Sequence, residues 1–469
     1  MNSRLREAMR EHAESVPAYR VDTAALAGAE RRRRVRTAVA AAVVVVLVAV
    51  VPLAVRGLGV RTVPPASGPA VPSLPDRVAA PPLGTTGALS ARPGPAAVLF
   101  GGNSRWQAKG EVIAVGASTD RYGVLASGHY NYAGEQALLS PDGGRVATPD
   151  GVHDLSSGRS QAWPALGGEF TIPAVWSPDG RWAAVIALVA PYDTRPGGVM
   201  VPTPRSAVLH LVDPATGEHH RIADLDPGSV VDGYVAAFAP DGGRLAYQSG
   251  TTVSVADLEG RVLNRFAAPP RTRLAGKGAW TPAGDALVLA EQRGCCPGEA
   301  YPSRWRLRVV EPATGADAAR PALPELTGLV AVRLLGWSPR GEAVVAALYP
   351  EPGIKVVDFT TGAGALSGSH VGLTAYDWVR AVRVLACAPG ARPRTLLTAP
   401  DQDVLSVDVA SDVIAGGETR RGDPPGLPAV LGRFAVPALA GWLLLGALVC
   451  GVAAALSRRR YRRAGGWRR

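Results

Sequence analysis

Five copies of one short pattern constrain this chain more than anything else in it: an apolar or aromatic residue, a Ser-Pro-Asp-Gly turn, then a short run of strand-forming residues. The clear copies are LLSPDGGRVAT from Leu138, VWSPDGRWAAVIAL from Val175 and AFAPDGGRLAYQ from Ala237; AWTPAGDALVLA from Ala279 and GWSPRGEAVVAAL from Gly336 are weaker. Leu139, Trp176, Phe238, Trp280 and Trp337 close one strand, proline presets φ for the turn, and glycine accepts a positive φ. Asp142, Asp179 and Asp241 bond nearby amides in the turn. Val146, Val185, Leu245, Val288 and Val345 then sit in a new, buried strand.

A second element follows every copy: VHDLSSG ending at Gly158, LVDPATG at Gly217, VADLEG at Gly260, VVEPATG at Gly315 and VVDFTTG at Gly362. Asp154, Asp213, Asp257, Glu311 and Asp358 hold the equivalent place, where a carboxylate caps a tight turn, so their role reads as structural rather than catalytic. Two hairpins per repeat make a four-stranded sheet. The turn prolines Pro141, Pro178, Pro240, Pro282 and Pro339 lie 37, 62, 42 and 57 residues apart, and the shorter spacings match one propeller blade.

The paired motifs over residues 138–364 resemble the WD-like repeats of TolB-type β-propellers. The resemblance implies an all-β propeller of six or seven four-stranded blades over residues 96–412, and it is nearly silent on function. VIAVGASTDRYGVLAS from Val112 reads as a degraded blade, and YDWVRAVRVLACAPG from Tyr376 as the start of another ending near Ala410, so seven is the expected number. Ring closure brings the ends of such a domain together.

Outside the repeats, residues 37–55 and 434–456 are each long and apolar enough to cross a bilayer as one helix. Arginines flank each on its terminal side, in the lead 1–36 and in the tail 457–469, which carry +4 and +7 of the total +11. The positive-inside rule then predicts a bacterial membrane protein with both termini cytoplasmic and the propeller outside. A cleaved signal peptide is the competing reading of the first segment, against which stand its long lead and valine run. The basic clusters lie where topology puts them, and the region between is neutral by count, so membrane lipid rather than nucleic acid is the expected partner. Three lysines among many arginines, with abundant Ala, Gly, Pro and Val, suggest a GC-rich bacterium of an actinobacterial type. Residues 57–95 contain nine prolines and read as an extended tether, and 413–433 as a second linker.

The long spacings place insertions after the second strand of two blades, at 190–205 and 291–305, and insertions on one face of a repeat array often build its binding surface. Tyr192, Asp193, Arg195, Arg293, Tyr301, Arg304 and Trp305 are the candidate contacts there, with packing at a strand start as the other reading of Trp305. Of the four cysteines Cys450 lies in the second span, which leaves a bridge from Cys295 or Cys296 to Cys387 as one option outside. No metal or cofactor is expected, because no CxxC pair or neighbouring histidine exists, and His219 and His220 read as a solvated outer hairpin.

No G-x-S-x-G elbow, phosphate loop, H-E-x-x-H or dinucleotide motif occurs, which favours a non-enzymatic binding or sensing scaffold. The alternative is an extracytoplasmic hydrolase or lyase with its active site across the funnel, marked by convergent carboxylates or histidines. A short charged helix over residues 3–14, an arginine cluster, one span and an outer sensor also look like membrane-bound regulators of extracytoplasmic-function sigma factors. That layout would make a sigma factor or similar regulator a cytoplasmic partner, although the lead has only His12 and no cysteine where that family often has a zinc motif.

Overall fold

The computed structural model describes residues 71–80, 87–88, 94–101, 112–125, 132–194, 200–230, 233–293, 304–350, 379–399 and 404–424, with Glu7 and Gly451. Residues 66–430 form one compact unit, and both predicted spans fall in the other. Among the described residues no helix is long and apolar enough to cross a membrane, and the segments 37–55 and 434–456 lie outside them apart from Gly451.

Each copy of the turn motif joins the first two strands of an antiparallel sheet. Blade one is Leu138–Leu139, Arg145–Thr148, Gly151–Asp154 and Ser160–Ala162; blade two is Phe170–Trp176, Ala183–Val189, Ser206–Val212 and His219–Leu225. Blade three is Ala236–Phe238, Arg244–Ser249, Thr252–Asp257 and Val262–Ala267. Blade four is Thr272–Leu274, Leu287–Arg293, Arg304–Val310 and Leu326–Thr327. Blade five is Ala331–Trp337, Ala343–Pro350, Val379–Cys387 and Arg394–Ala399. Blade six is closed by both ends of the domain: Ser406–Val409 is its first strand and pairs with Ala96–Gly101, followed by Val112–Gly116 and Tyr122–Leu125. Gly87–Ala88 adds a parallel outer strand.

The propeller therefore has six blades, not the expected seven. The segment from Tyr376, read as the start of a seventh blade ending near Ala410, instead supplies Val379–Cys387 and Arg394–Ala399 as the third and fourth strands of blade five, with residues 351–378 between its second and third. The VVDFTTG segment with Asp358 falls in that connection, outside the described residues, and the turn equivalent to the other acidic turns lies between Cys387 and Arg394. A long insertion with its own turn-like sequence had imitated the second hairpin.

Both turn families are as the residue types dictate. Asp142 Oδ1 accepts from Gly144 N at 2.9 Å and Ser140 Oγ at 2.5 Å, and Asp179 accepts from Ser177 Oγ at 2.5 Å and Arg181 N at 3.0 Å. Asp241 accepts from Gly243 N at 2.9 Å. In the two weaker copies the carboxylate has moved along the chain but still takes the turn hydroxyl, from Thr281 to Asp285 and from Ser338 to Glu342. In the second family Asp154 accepts from Ser156 and Ser157 N, Asp213 from Ala215 N, and Asp257 from Arg261 N; Glu311 accepts from Thr314 Oγ1.

Neighbouring blades are stitched through the strand-closing tryptophans. Trp176 Nε1 donates to the Leu138 carbonyl, Trp280 Nε1 to Ala237 and Trp337 Nε1 to Trp280, each reaching the preceding blade. Arg145 and Arg244 stack 4.9 Å from the Trp176 and Trp280 rings and donate to the next blade's turn carbonyl, Gly180 and Gly284. Such cation–π contacts contribute roughly 0.5–1 kcal/mol each.

Parts of both segments read as linkers belong to the domain. Leu74 and Val78 are buried, Leu74–Pro75 pairs in parallel with Thr419–Arg420, and Gly422 N donates to Asp76 Oδ1 at 2.9 Å. Arg420 binds Asp120 and the Gly116 carbonyl in the last turn of blade six, so the two ends are clasped side by side.

Cys387 is a buried free thiol, and Cys295 and Cys296, its suggested partners, lie outside the described residues. Cys387 is the register partner of Ala343, at the end of blade five nearest the turn motifs. Burial pushes the thiol up to about 12.

Candidate functional site at the propeller axis

All first strands run the same way, so the Ser-Pro-Asp-Gly turns share one face, and the connections carrying the insertions share the other. The axis between these faces holds charge at two levels, none of it read from the sequence.

On the insertion side the axis is plugged. Arg333, on the first strand of blade five, is 1% exposed; its Nη2 donates to the Ala133 carbonyl at 2.9 Å and to Val407 at 3.2 Å, and its Nη1 lies 3.5 Å from Glu135 Oε1. Tyr234 Oη, from blade three, donates to the Val332 carbonyl at 2.9 Å, and burial holds this phenol protonated far above its usual range. Gly134 has φ +81°, and a Cβ there would come within 2.5 Å of the Arg333 guanidinium. Gly233, φ +77°, would meet the Gly134 carbonyl at 2.7 Å. Blades one, three and five thus meet across the centre, and only glycine leaves room for the arginine.

Nearer the turn face lies the second pair. Asp408, fully buried on the closing strand of blade six, accepts from Leu139 N at 2.9 Å and sits 2.7 Å from Lys277 Nζ, which also donates to the Val409 carbonyl at 2.6 Å. One carboxylate therefore ties blade six to blades one and four.

Above it the axis opens into a cavity of about 140 Å³. Leu139, Val175, Trp176, Phe238, Trp280 and Leu335 line it, Pro141, Pro178 and Pro240 form much of its rim, Ser411 stands at the edge and Lys277 reaches it from below. An apolar cavity of about 150 Å³ is enough for a benzene ring. A second, more polar cleft of about 440 Å³ lies beside the terminal clasp among Arg340, Glu342, Arg394, Ile414 and Glu418; there Arg394 already pairs with Glu342 at 3.0 Å.

The insertion-face candidates are placed as follows. Tyr192–Thr194 pairs with Met200–Pro202 as a small hairpin off blade two, and Arg195 and Tyr301 lie outside the described residues. Arg293 and Arg304 are cross-strand partners at the end of blade four, each with its own carboxylate, Glu291 at 3.1 Å and Glu325 at 4.0 Å. Trp305 is 1% exposed and donates to the Leu329 carbonyl, so it packs in the blade as its alternative reading had it. Among the described residues no cluster of three or more His, Cys, Asp or Glu could hold a metal ion.

A charge at the inward parity of an otherwise apolar first strand, as in AVRLLGW and LSVDVA, is the signal that would have found Arg333 and Asp408. Glu135, Tyr234 and Lys277 lie in irregular backbone and carry no such mark.

No family model and no curated protein matches this sequence. Similar solved structures include TolB from Acinetobacter baumannii, at 15% identity and TM-score 0.38, over 67% of this chain and 66% of that one. An oligogalacturonate lyase in complex with manganese matches at 15% identity and TM-score 0.34, over 58% and 72%. The β-propeller domain of the Trilobed protease from Pyrococcus furiosus matches at 10% and 0.27, over 61% and 65%. The match spans about two thirds of the TolB chain. The six-bladed architecture rests on this chain's own strand pairing, and these likenesses say nothing about its function.

Proposed function

We propose that this protein is a membrane-tethered, extracytoplasmic binding platform that receives a protein partner on its turn face, seating one aromatic or branched aliphatic side chain in the axial cavity. The cavity carries the reading: it is apolar, walled by three aromatic residues, and sized for one such group. Among the described residues the two carboxylates at the axis are committed, Glu135 to Arg333 and Asp408 to Lys277, which supports recognition over acid–base chemistry at this place. The two apolar end segments with their arginine flanks support the tether and the outside location. Passage of a signal to a cytoplasmic regulator through the lead is a finer proposal on the same layout.

Photo-crosslinking residues placed at Pro178 or Pro240 should capture a partner in cells, whereas one at Thr251, on the insertion face, should not. Capture from Thr251 alone would move the site to the insertion face. Removing residues 1–30 and finding the same captured set would separate binding from signalling.

A further inference from the structure

Blade two carries His210 on its third strand and His219, His220 and Arg221 at the start of its fourth. Strand alternation sorts them. Val185 and Val212 pack with Leu138, Ala147 and Val152 of blade one, and His210 is the register partner of Val185 and two residues from Val212, so its side chain faces blade one. The pairings Val212 with His219 and His210 with Arg221 put His219 and Arg221 on that same flank. His220 falls on the other, where its Nε2 lies 2.6 Å from the Leu258 carbonyl.

His210 is 9% exposed, and its Nδ1 has no hydrogen-bond partner. The His219 ring lies 6.1 Å away, centre to centre, with its Nδ1 3.3 Å from the Gly217 carbonyl. A buried polar atom left unpaired has given up its bond to water with nothing in return, which asks for a ligand. Burial first, and then the basic neighbours His219, Arg221 and His220, hold His210 below the usual imidazole range. Its neighbours on the second strand, Ala183–Val189, are not ionisable. On the facing side of blade one, Arg145 engages Gly180 and Asp154 is held in its own turn. Asp224, the register partner of Val208 and so on the same flank, pairs with Arg221 and is the carboxylate an incoming anion has to displace.

We propose that this flank is an oxyanion site, with His210 as its floor and His219 and Arg221 as its rim, taking a carboxylate or phosphate group. An anion there supplies the missing charge and lets His210 take up one proton from solvent, so binding strengthens as pH falls through the imidazole range. Charge-assisted bonds of this kind are the strong ones.

The test is titration of inorganic phosphate, and separately acetate, into the full-length protein, followed by the histidine ring signals in NMR at about pH 5.5 and 7.5, either side of the free imidazole value. The expected result is movement of the His210 and His219 signals, with affinity rising by up to about tenfold per pH unit as His210 takes up its proton, and so at least about tenfold higher at the acid pH. His210→Gln and Arg221→Gln should each weaken binding by about tenfold, the loss of one charge-assisted bond, while His220→Gln leaves it unchanged. A response to phosphate alone identifies a phosphate ligand, and an equal response to acetate a carboxylate from a partner. Unmoved His210 and His219 signals at both pH values, or undiminished binding in the surface variant Arg221→Gln, would overturn the proposal.

Discussion

The two ends of the propeller axis are built from the same six inner strands, yet one is sealed and the other open. At the sealed end Arg333 fills the centre, and glycines at 134 and 233 let three alternate blades touch. At the open end the strands finish in bulky residues, Trp176, Phe238 and Trp280, whose own volume holds the blades apart and leaves a cavity. Small residues with a buried charge close a ring; large residues with proline turns prop it open. The ion pair at each end is accordingly different: Arg333 and Glu135 are each 2% exposed, whereas Lys277, 10% exposed, lines the cavity.

That contrast sets the largest expected effect. Arg333→Ala leaves Glu135 as an uncompensated buried charge, which should destabilise the propeller by about 3–5 kcal/mol. Replacing both, Arg333→Met with Glu135→Leu, removes the charge as well as its partner and should recover most of the loss. Urea unfolding midpoints of the three proteins decide it. A double variant as weak as the single one would mean that the arginine acts by its bonds to Ala133 and Val407 and not by neutralising Glu135.

Lys277→Met tests the open end with the matching change. Asp408 keeps its bond from Leu139 N, and water entering the cavity can replace the ammonium, so the expected loss is smaller, about 2 kcal/mol. If it equals that of Arg333→Ala in the same urea series, the open end is as dry as the sealed one and the contrast fails.

Much of this architecture was legible from local chemistry. The turn motifs state their own structure, because Pro, Asp and Gly in that order have one inexpensive arrangement, and three such copies with two weaker ones require a repeat. The blade number was not legible, because it depends on long-range pairing: nothing in YDWVRAVRVLACAPG says that its partner is Ala343–Pro350, across an insertion holding a decoy turn. The axial site was hidden for a related reason. Its five polar residues come from five blades and are spread from Glu135 to Asp408, so no local spacing joins them. The insertions on blades two and four were visible as irregular intervals, and the same topology that places them on one face puts the axial cavity on the other.

The smallest effect concerns the rim. Asp179 closes the turn that carries Pro178, and Asp179→Ala removes two hydrogen bonds at a mostly exposed place, which should cost about 1 kcal/mol in neutral solution. The Ser177 hydroxyl, ahead of the Arg181 amide, holds this carboxyl below the usual carboxylate range. Its value in the folded protein is therefore lower than in the unfolded chain, so its contribution is complete above the unfolded value of about 3.9 and is lost as pH falls through the folded one. The gap between wild type and Asp179→Ala in urea midpoint should then be full near neutrality and shrink in acid. A rim variant whose deficit is as large in acid as at neutrality would show that the backbone of the turn, and not the carboxylate, holds the open end in shape.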